Sequence, residues 1–121
     1  IKTVFDDQGY LMDPHTAVAY LAATHLKGTN PVLVASTAHW AKFGDNVYRA
    51  LHDIAPDQPL PEEAAALTGC QLNRLIADET GKHDIPEGLA HLDTAPARFT
   101  QVIDAGERPA EEAVTAFIQT Q

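Results

Sequence analysis

Only one run in this chain reads as a buried strand. Val32-Leu-Val-Ala35 is continuous, apolar and rich in branched side chains, with the turn chemistry of Thr29-Asn30-Pro31 before it and of Ser36-Thr37 after it. A lone strand leaves N–H and C=O groups unpaired along both edges, and no comparably apolar run follows. The expected fold is therefore mainly α with one β-strand: a piece of an α/β fold whose other strands lie outside these 121 residues. A chain that opens on Ile1 and not on Met points to the same expectation of a fragment. Exposed strand edges would then favour self-association.

In an open α/β sheet, ligands bind beyond the carboxyl ends of the strands. Ser36, Thr37, His39 and Lys42 would stand there, close to a helix amino terminus whose unpaired N–H groups favour anions. Each has a plain reading beside the functional one. Ser36 and Thr37 suit helix capping as well as ligand contact. Lys42 is either a solvated cation on an apolar stem or a group within reach of an anion. Trp40 either covers the mouth of the site or fills core space. A nucleophile elbow is excluded, because Gly-x-Ser-x-Gly is absent.

Helix signals bracket this stretch. Residues 1–11 read as a lead-in that ends in the turn Asp6-Asp7-Gln8-Gly9. Asp13 as cap and Pro14 at the first helical position start a helix over 13–26, apolar around most of its circumference and stopped by Gly28. After the strand, Phe43, Val47, Ala50, Leu51 and Ile54 trace one helix face that Asp45 would cap. Prolines 56, 59, 61, 86, 96 and 109 punctuate the remainder, and short helices are expected over 62–67, 71–79, 86–92, 96–104 and 109–118. Helices so short depend on packing more than on propensity. The chain divides into residues 1–55, the end of an α/β domain, and 56–121, a helical tail laid over one side of it.

Composition narrows the function. A net charge of −9 with eight Lys and Arg residues argues against nucleic acid, whose phosphates need clustered cations. The apolar runs are too short to span a membrane and no signal peptide opens the chain, so the expected location is cytoplasmic. The single cysteine, Cys70, has no partner for a disulfide and no nearby histidine to activate it. An inert thiol just beyond a helix stop at Gly69 is the expectation. Six histidines occur without a His-x-x-x-His pair on any expected helix, so no metal site is expected. The pairs Glu62-Glu63 and Glu111-Glu112 read as acidic first turns of helices, not as catalytic carboxylates.

Two segments go further: Gly9-Tyr-Leu-Met-Asp-Pro-His-Thr-Ala-Val-Ala19 and Ser36-Thr-Ala-His-Trp-Ala-Lys-Phe43. In this order and separation they resemble the carboxyl-terminal part of threonine synthase, whose typical forms read DPHTAVA and STAHPAKF. The likeness covers roughly the first 55 residues, and Trp40 departs from it where the family usually carries proline. It implies a pyridoxal-phosphate enzyme of the tryptophan-synthase-β-like fold, a lyase converting O-phospho-L-homoserine and water to L-threonine and phosphate. It also implies that Thr37, matching the family's hydroxyl residue, contacts the pyridine nitrogen of the cofactor, with Ser36 and His39 on the same wall and Asp13 to Thr16 as a buried helix behind or beside it. A neutral hydroxyl there, unlike a carboxylate, does not force a proton onto the ring.

Two expected parts of such a site do not occur in this sequence. The family's Schiff-base lysine precedes an aspartate, whereas Lys2, Lys27, Lys42 and Lys82 are followed by Thr, Gly, Phe and His. The seven glycines are scattered and form no phosphate-cradling loop. No catalytic residue is therefore assigned in this chain, and the isolated polypeptide is expected to be inactive. Two alternatives stand beside this reading: a related pyridoxal-phosphate lyase or inactive homologue, and a free-standing helical interaction module with an acidic surface.

Overall fold

The structure is a computed structural model that describes residues 1–26, 28, 30–98 and 100–119. Among these, no residue is in a strand. The expected strand at 32–35 is extended coil, with Leu33 96% and Val32 53% exposed. The reason lies in pairing: without a neighbouring strand, extended backbone is satisfied by water, and branched side chains alone do not hold a sheet. Among the described residues an all-helical arrangement replaces the expected one-strand α/β piece, without the strand edges on which the expectation of self-association was based. Thr29, in the expected turn, lies outside the described residues.

Helix α1 (Lys2–Gln8) forms where a lead-in was expected. Ile1, Val4 and Phe5 fall at helical spacing, Val4 is buried, and Ile1 and Phe5 pack against the core. The turn at Gly9 is real, but as a helix cap. Gly9 takes φ of 65°, a left-handed conformation, and donates its N–H to Phe5 O at 2.8 Å. Helix α2 (Pro14–Thr24) starts as its sequence announces, on an Asp13 cap with Pro14 at the first position. It ends at a His25 cap, ahead of Gly28. Its apolar circumference is largely uncovered: Val18 is 71% and Leu21 61% exposed, and Thr16 is its buried residue.

The core forms where α3 (Gly44–Leu51) meets α5 (Gly69–Thr80). Val47 and Ile76 are fully excluded from solvent, and Leu11, Trp40, Tyr48 and Leu72 pack around them. Core residues thus come from both sides of residue 55. A 3₁₀ turn (Trp40–Phe43) feeds α3, and the buried Asn73 amide donates to the Ala41 carbonyl at 2.8 Å, tying that turn to α5. Gly44 permits the approach, since a Cβ there would stand 2.2 Å from Asn73 Oδ1. Asp45 does not cap α3; it sits in the first turn and pairs with Arg49 at 3.1 Å.

Gly69, expected as a stop, instead opens α5, because Thr68 and Gln71 form a reciprocal capping box. Short helices α4 (Glu62–Ala65) and α6 (Glu87–Ala90) and a second 3₁₀ turn (Leu92–Thr94) surround α5. Cys70 joins that turn to α5. Its N–H donates to Asp93 at 3.0 Å and its thiol to the Leu89 carbonyl at 3.3 Å. The expected helix over 96–104 is absent among the described residues, with Val102 93% exposed and no surface for its apolar stripe to bury against; Phe99, part of that stripe, lies outside them. Helix α7 (Glu107–Gln119) follows, with no buried residue.

Ile76→Ala is expected to cost about 2–5 kcal/mol, the range for emptying a packed core site. Val114→Ala, on the exposed face of α7, is expected to stay within about 0.5 kcal/mol. Urea unfolding of both variants measures the difference.

Candidate functional site

The amino end of α2 is built around one carboxylate. Asp13 is 1% exposed; its Oδ1 accepts the His15 N–H at 2.9 Å and the Thr16 N–H at 3.3 Å, and its Oδ2 accepts the Thr16 hydroxyl. His15 Nδ1 stands 3.3 Å from Oδ1, and the His15 ring leans on Phe43 with centroids 4.7 Å apart. Burial pushes the Asp13 carboxyl up, but the Thr16 hydroxyl and the donors from Thr16 and His15 outweigh it, so its pKa falls below the ordinary 3.8. With its first-turn N–H groups taken by a carboxylate, this helix end offers no site for an anion.

From Asp13 a line of hydroxyls runs to the coil that follows α2. Thr16 Oγ1 lies 3.2 Å from Ser36 Oγ, and the Tyr10 hydroxyl lies 3.5 Å from the same Ser36 oxygen. A hydroxyl has one proton. With the Thr16 proton committed to Asp13, Ser36 donates to Thr16 and is left to accept from Tyr10. The order of donation is then Tyr10 to Ser36 to Thr16 to Asp13.

Three residues further on, a second fastening occurs. His39 caps the 3₁₀ turn, its Nδ1 accepting the Ala41 N–H at 3.2 Å. An accepting Nδ1 puts the proton of a neutral imidazole on Nε2, which faces the Asp84 carboxylate at 3.8 Å. The ring lies beside Trp40, centroids 5.3 Å apart. The N–H expected to be open to an anion at this turn is thus occupied by His39.

Between the two fastenings stands Thr37, exposed and making no hydrogen bond among the described residues. The three candidate residues therefore share one short segment but differ in role. Ser36 is held against α2, His39 against the 3₁₀ turn, and Thr37 is left with a neutral hydroxyl facing solvent. Trp40 resolves to the core reading, at 4% exposure; Lys42 is exposed, with its Nζ 5.7 Å from the Phe43 ring centroid. A cleft of about 420 Å³ opens nearby between the first 3₁₀ turn, α4 and α5, lined by Gly44, Ala64, Cys70 and Asn73 among others, and none of Ser36, Thr37 and His39 reaches it. Among the described residues, no three His, Cys, Asp or Glu side chains converge as metal ligands would. No helix among them is long and apolar enough to cross a membrane.

Reasoning from sequence set residues 13–16 behind or beside the wall but missed Tyr10, Asp84 and the reach of the Thr16 hydroxyl to Ser36. Asp13 and Thr16 stand at capping distance, so Thr16 was a readable partner for the cap. Nothing local announces that its hydroxyl also meets Ser36, twenty residues on.

Part of the chain is similar to known proteins. The family model described as threonine synthase, C-terminal, matches residues 16–76. Threonine synthase-like 1 of Mus musculus is 46% identical over 52 residues, which are 42% of this chain and 7% of that protein. The proteins of the same name from Macaca fascicularis and Homo sapiens are 44% and 42% identical over the same length and coverage. The match thus spans only a small fraction of these relatives. No solved structure matches the chain.

Because the Asp13 pKa is lowered on folding, its contribution to stability is fully present above about pH 4, where the unfolded carboxyl is also ionised, and is lost as pH falls through the folded-state value. Asp13→Asn is expected to flatten the fall in stability below pH 4. Urea midpoints of both proteins across the acid range measure it.

Proposed function

Since the matched stretch is just over half of its residues, the chain belongs to the threonine synthase C-terminal family, and from that we propose that it serves as the carboxyl-terminal part of a threonine synthase. The reaction so assigned converts O-phospho-L-homoserine and water to L-threonine and phosphate with pyridoxal phosphate. The observation that carries the site assignment is Thr37: an exposed neutral hydroxyl on a segment fastened at Ser36 and at His39.

The residues present suit one part of the cofactor. A threonine hydroxyl is both donor and acceptor, so it can meet a pyridine nitrogen whichever protonation state that nitrogen holds. When bound, pyridoxal phosphate supplies an electron sink for the substrate's α-carbon. What this chain adds is orientation and restraint. Thr37 meets the ring edge, Ser36 and His39 hold Thr37 in place, and the Asp13 carboxylate, engaged by Thr16 and His15, is not the group that protonates the ring. The covalent anchor and the phosphate cup come from elsewhere in the assembled enzyme, so the chain alone neither retains the cofactor nor turns over substrate.

The 121-residue chain mixed with pyridoxal phosphate and O-phospho-L-homoserine is expected to release no phosphate. In the complete enzyme, Thr37→Val is expected to lower threonine formation roughly five- to tenfold, the scale of one hydrogen bond near 1 kcal/mol, while Thr37→Ser stays close to the parent rate. Phosphate release by the isolated chain, or an unaltered rate and cofactor absorbance in Thr37→Val, would overturn the assignment. A complete protein that binds the cofactor yet forms no threonine would identify a family member that keeps the fold relation without the reaction.

A further inference from the structure

Thr37 occupies a coil segment with no strand and no helix to hold it, yet a site residue of this kind needs a defined position. Among the described residues, the segment 30–38 makes no backbone hydrogen bond to a neighbouring element, and its side chains at 32, 33 and 35 are exposed. Val34 and Ala38 are half-buried, and the side-chain hydrogen bonds that tie the segment to the rest of the molecule are the line from Asp13 through Thr16 to Ser36 on one side of Thr37 and the His39 cap on the other.

We propose that Asp13 is the positioning residue of the site: its buried carboxylate fixes the Thr16 hydroxyl, Thr16 fixes Ser36, and Ser36 holds the coil so that Thr37 stands in one place. Asp13 does this without reaching the ligand. Two facts about the carboxylate fit the role. Asp13 is enclosed, so its hydrogen bonds are not exchanged for water. It also accepts four donors from two successive residues, His15 and Thr16, which leaves it little freedom to turn. A cap that served only the helix needs the two N–H bonds and not the Thr16 hydroxyl. That third link is the one that reaches the coil. Tyr10, immediately after the Gly9 cap of α1, closes the line from the far side and adds a second restraint on Ser36.

The functional consequence rests on the reading of Thr37 as the ring-nitrogen contact, whereas the restraint itself is testable in the chain alone. Nitrogen-15 relaxation of the 121-residue chain reports it directly. In the parent chain the amides of residues 36–38 are expected to show order parameters near those of rigid backbone, about 0.85. Thr16→Val keeps the side-chain shape and the Thr16 N–H while deleting the hydroxyl. It is expected to drop those amides below about 0.6 while leaving α5 unchanged, and Thr16→Ser is expected to restore them. Should Thr16→Val fail to fold, Ser36→Ala cuts the same link from an exposed position and is expected to give the same local loss. Order parameters at 36–38 that stay at the parent value in the folded variant, or that fall equally in α5, overturn the proposal. If the local loss is seen but Thr37→Val leaves the cofactor absorbance of the complete enzyme unaltered, the restraint holds and the assignment of Thr37 fails.

Discussion

The packed core of this protein is organised by the contact between α3 and α5. Val47 and Ile76 meet there with no exposure, and the contact is close because residue 44 is glycine and residue 73 carries an amide. The amide has a second effect. By donating to Ala41 O it captures the last turn of chain before α3, and that turn carries Trp40 into the core. A side chain that only filled space would leave the direction of the 3₁₀ turn free. Asn73 sets the direction as well.

That direction decides where the site can be. His39 is the cap of the 3₁₀ turn, so its backbone leaves the core at a defined point, and the segment before it must run outward from there. On the other side, the amino end of α2 presents Thr16 to Ser36. The two anchors are of different kinds: one descends from the packed core through Trp40, the other from a buried carboxylate at a helix start. Neither is a sheet. The rule that ligands gather at the carboxyl ends of strands pointed at this polar segment through the wrong element. The same polar residues that would follow a strand also make the caps and hydroxyl contacts that organise a coil.

This explains which features could be read from the sequence. Start and stop signals with local chemistry were readable: Asp13-Pro14 opens α2 as expected, and short helices fall near the prolines at 61, 86 and 109. Features that depend on a distant partner were not. Val32-Leu-Val-Ala35 has strand composition, but a strand exists only with a neighbour to pair with, and among the described residues it has none. Gly69 has the composition of a stop, yet Thr68 and Gln71 capture it as a start because their capping box outweighs the low helix propensity of glycine. The segment 96–104 has an apolar stripe with no surface to receive it, and Val102 remains in water. In each case the local pattern was real and the tertiary partner decided its outcome.

The candidate site shows the same division at the scale of single hydroxyls. Ser36 and Thr37 are adjacent and chemically alike, and pattern alone treats them together as caps or as ligand contacts. The structure separates them by what lies behind each. Ser36 has Thr16 and Tyr10 within hydrogen-bond reach and is committed to the protein, whereas Thr37 has no such neighbour among the described residues. A hydroxyl already bound to its own protein is a poor candidate for a ligand, because contact would require breaking a bond worth about as much as the one gained. A hydroxyl still hydrated, on backbone held immediately to either side, exchanges one water for one ligand atom at little ordering cost. By that comparison Thr37, not Ser36, is the residue whose chemistry remains to be used, and Ser36 contributes by holding it.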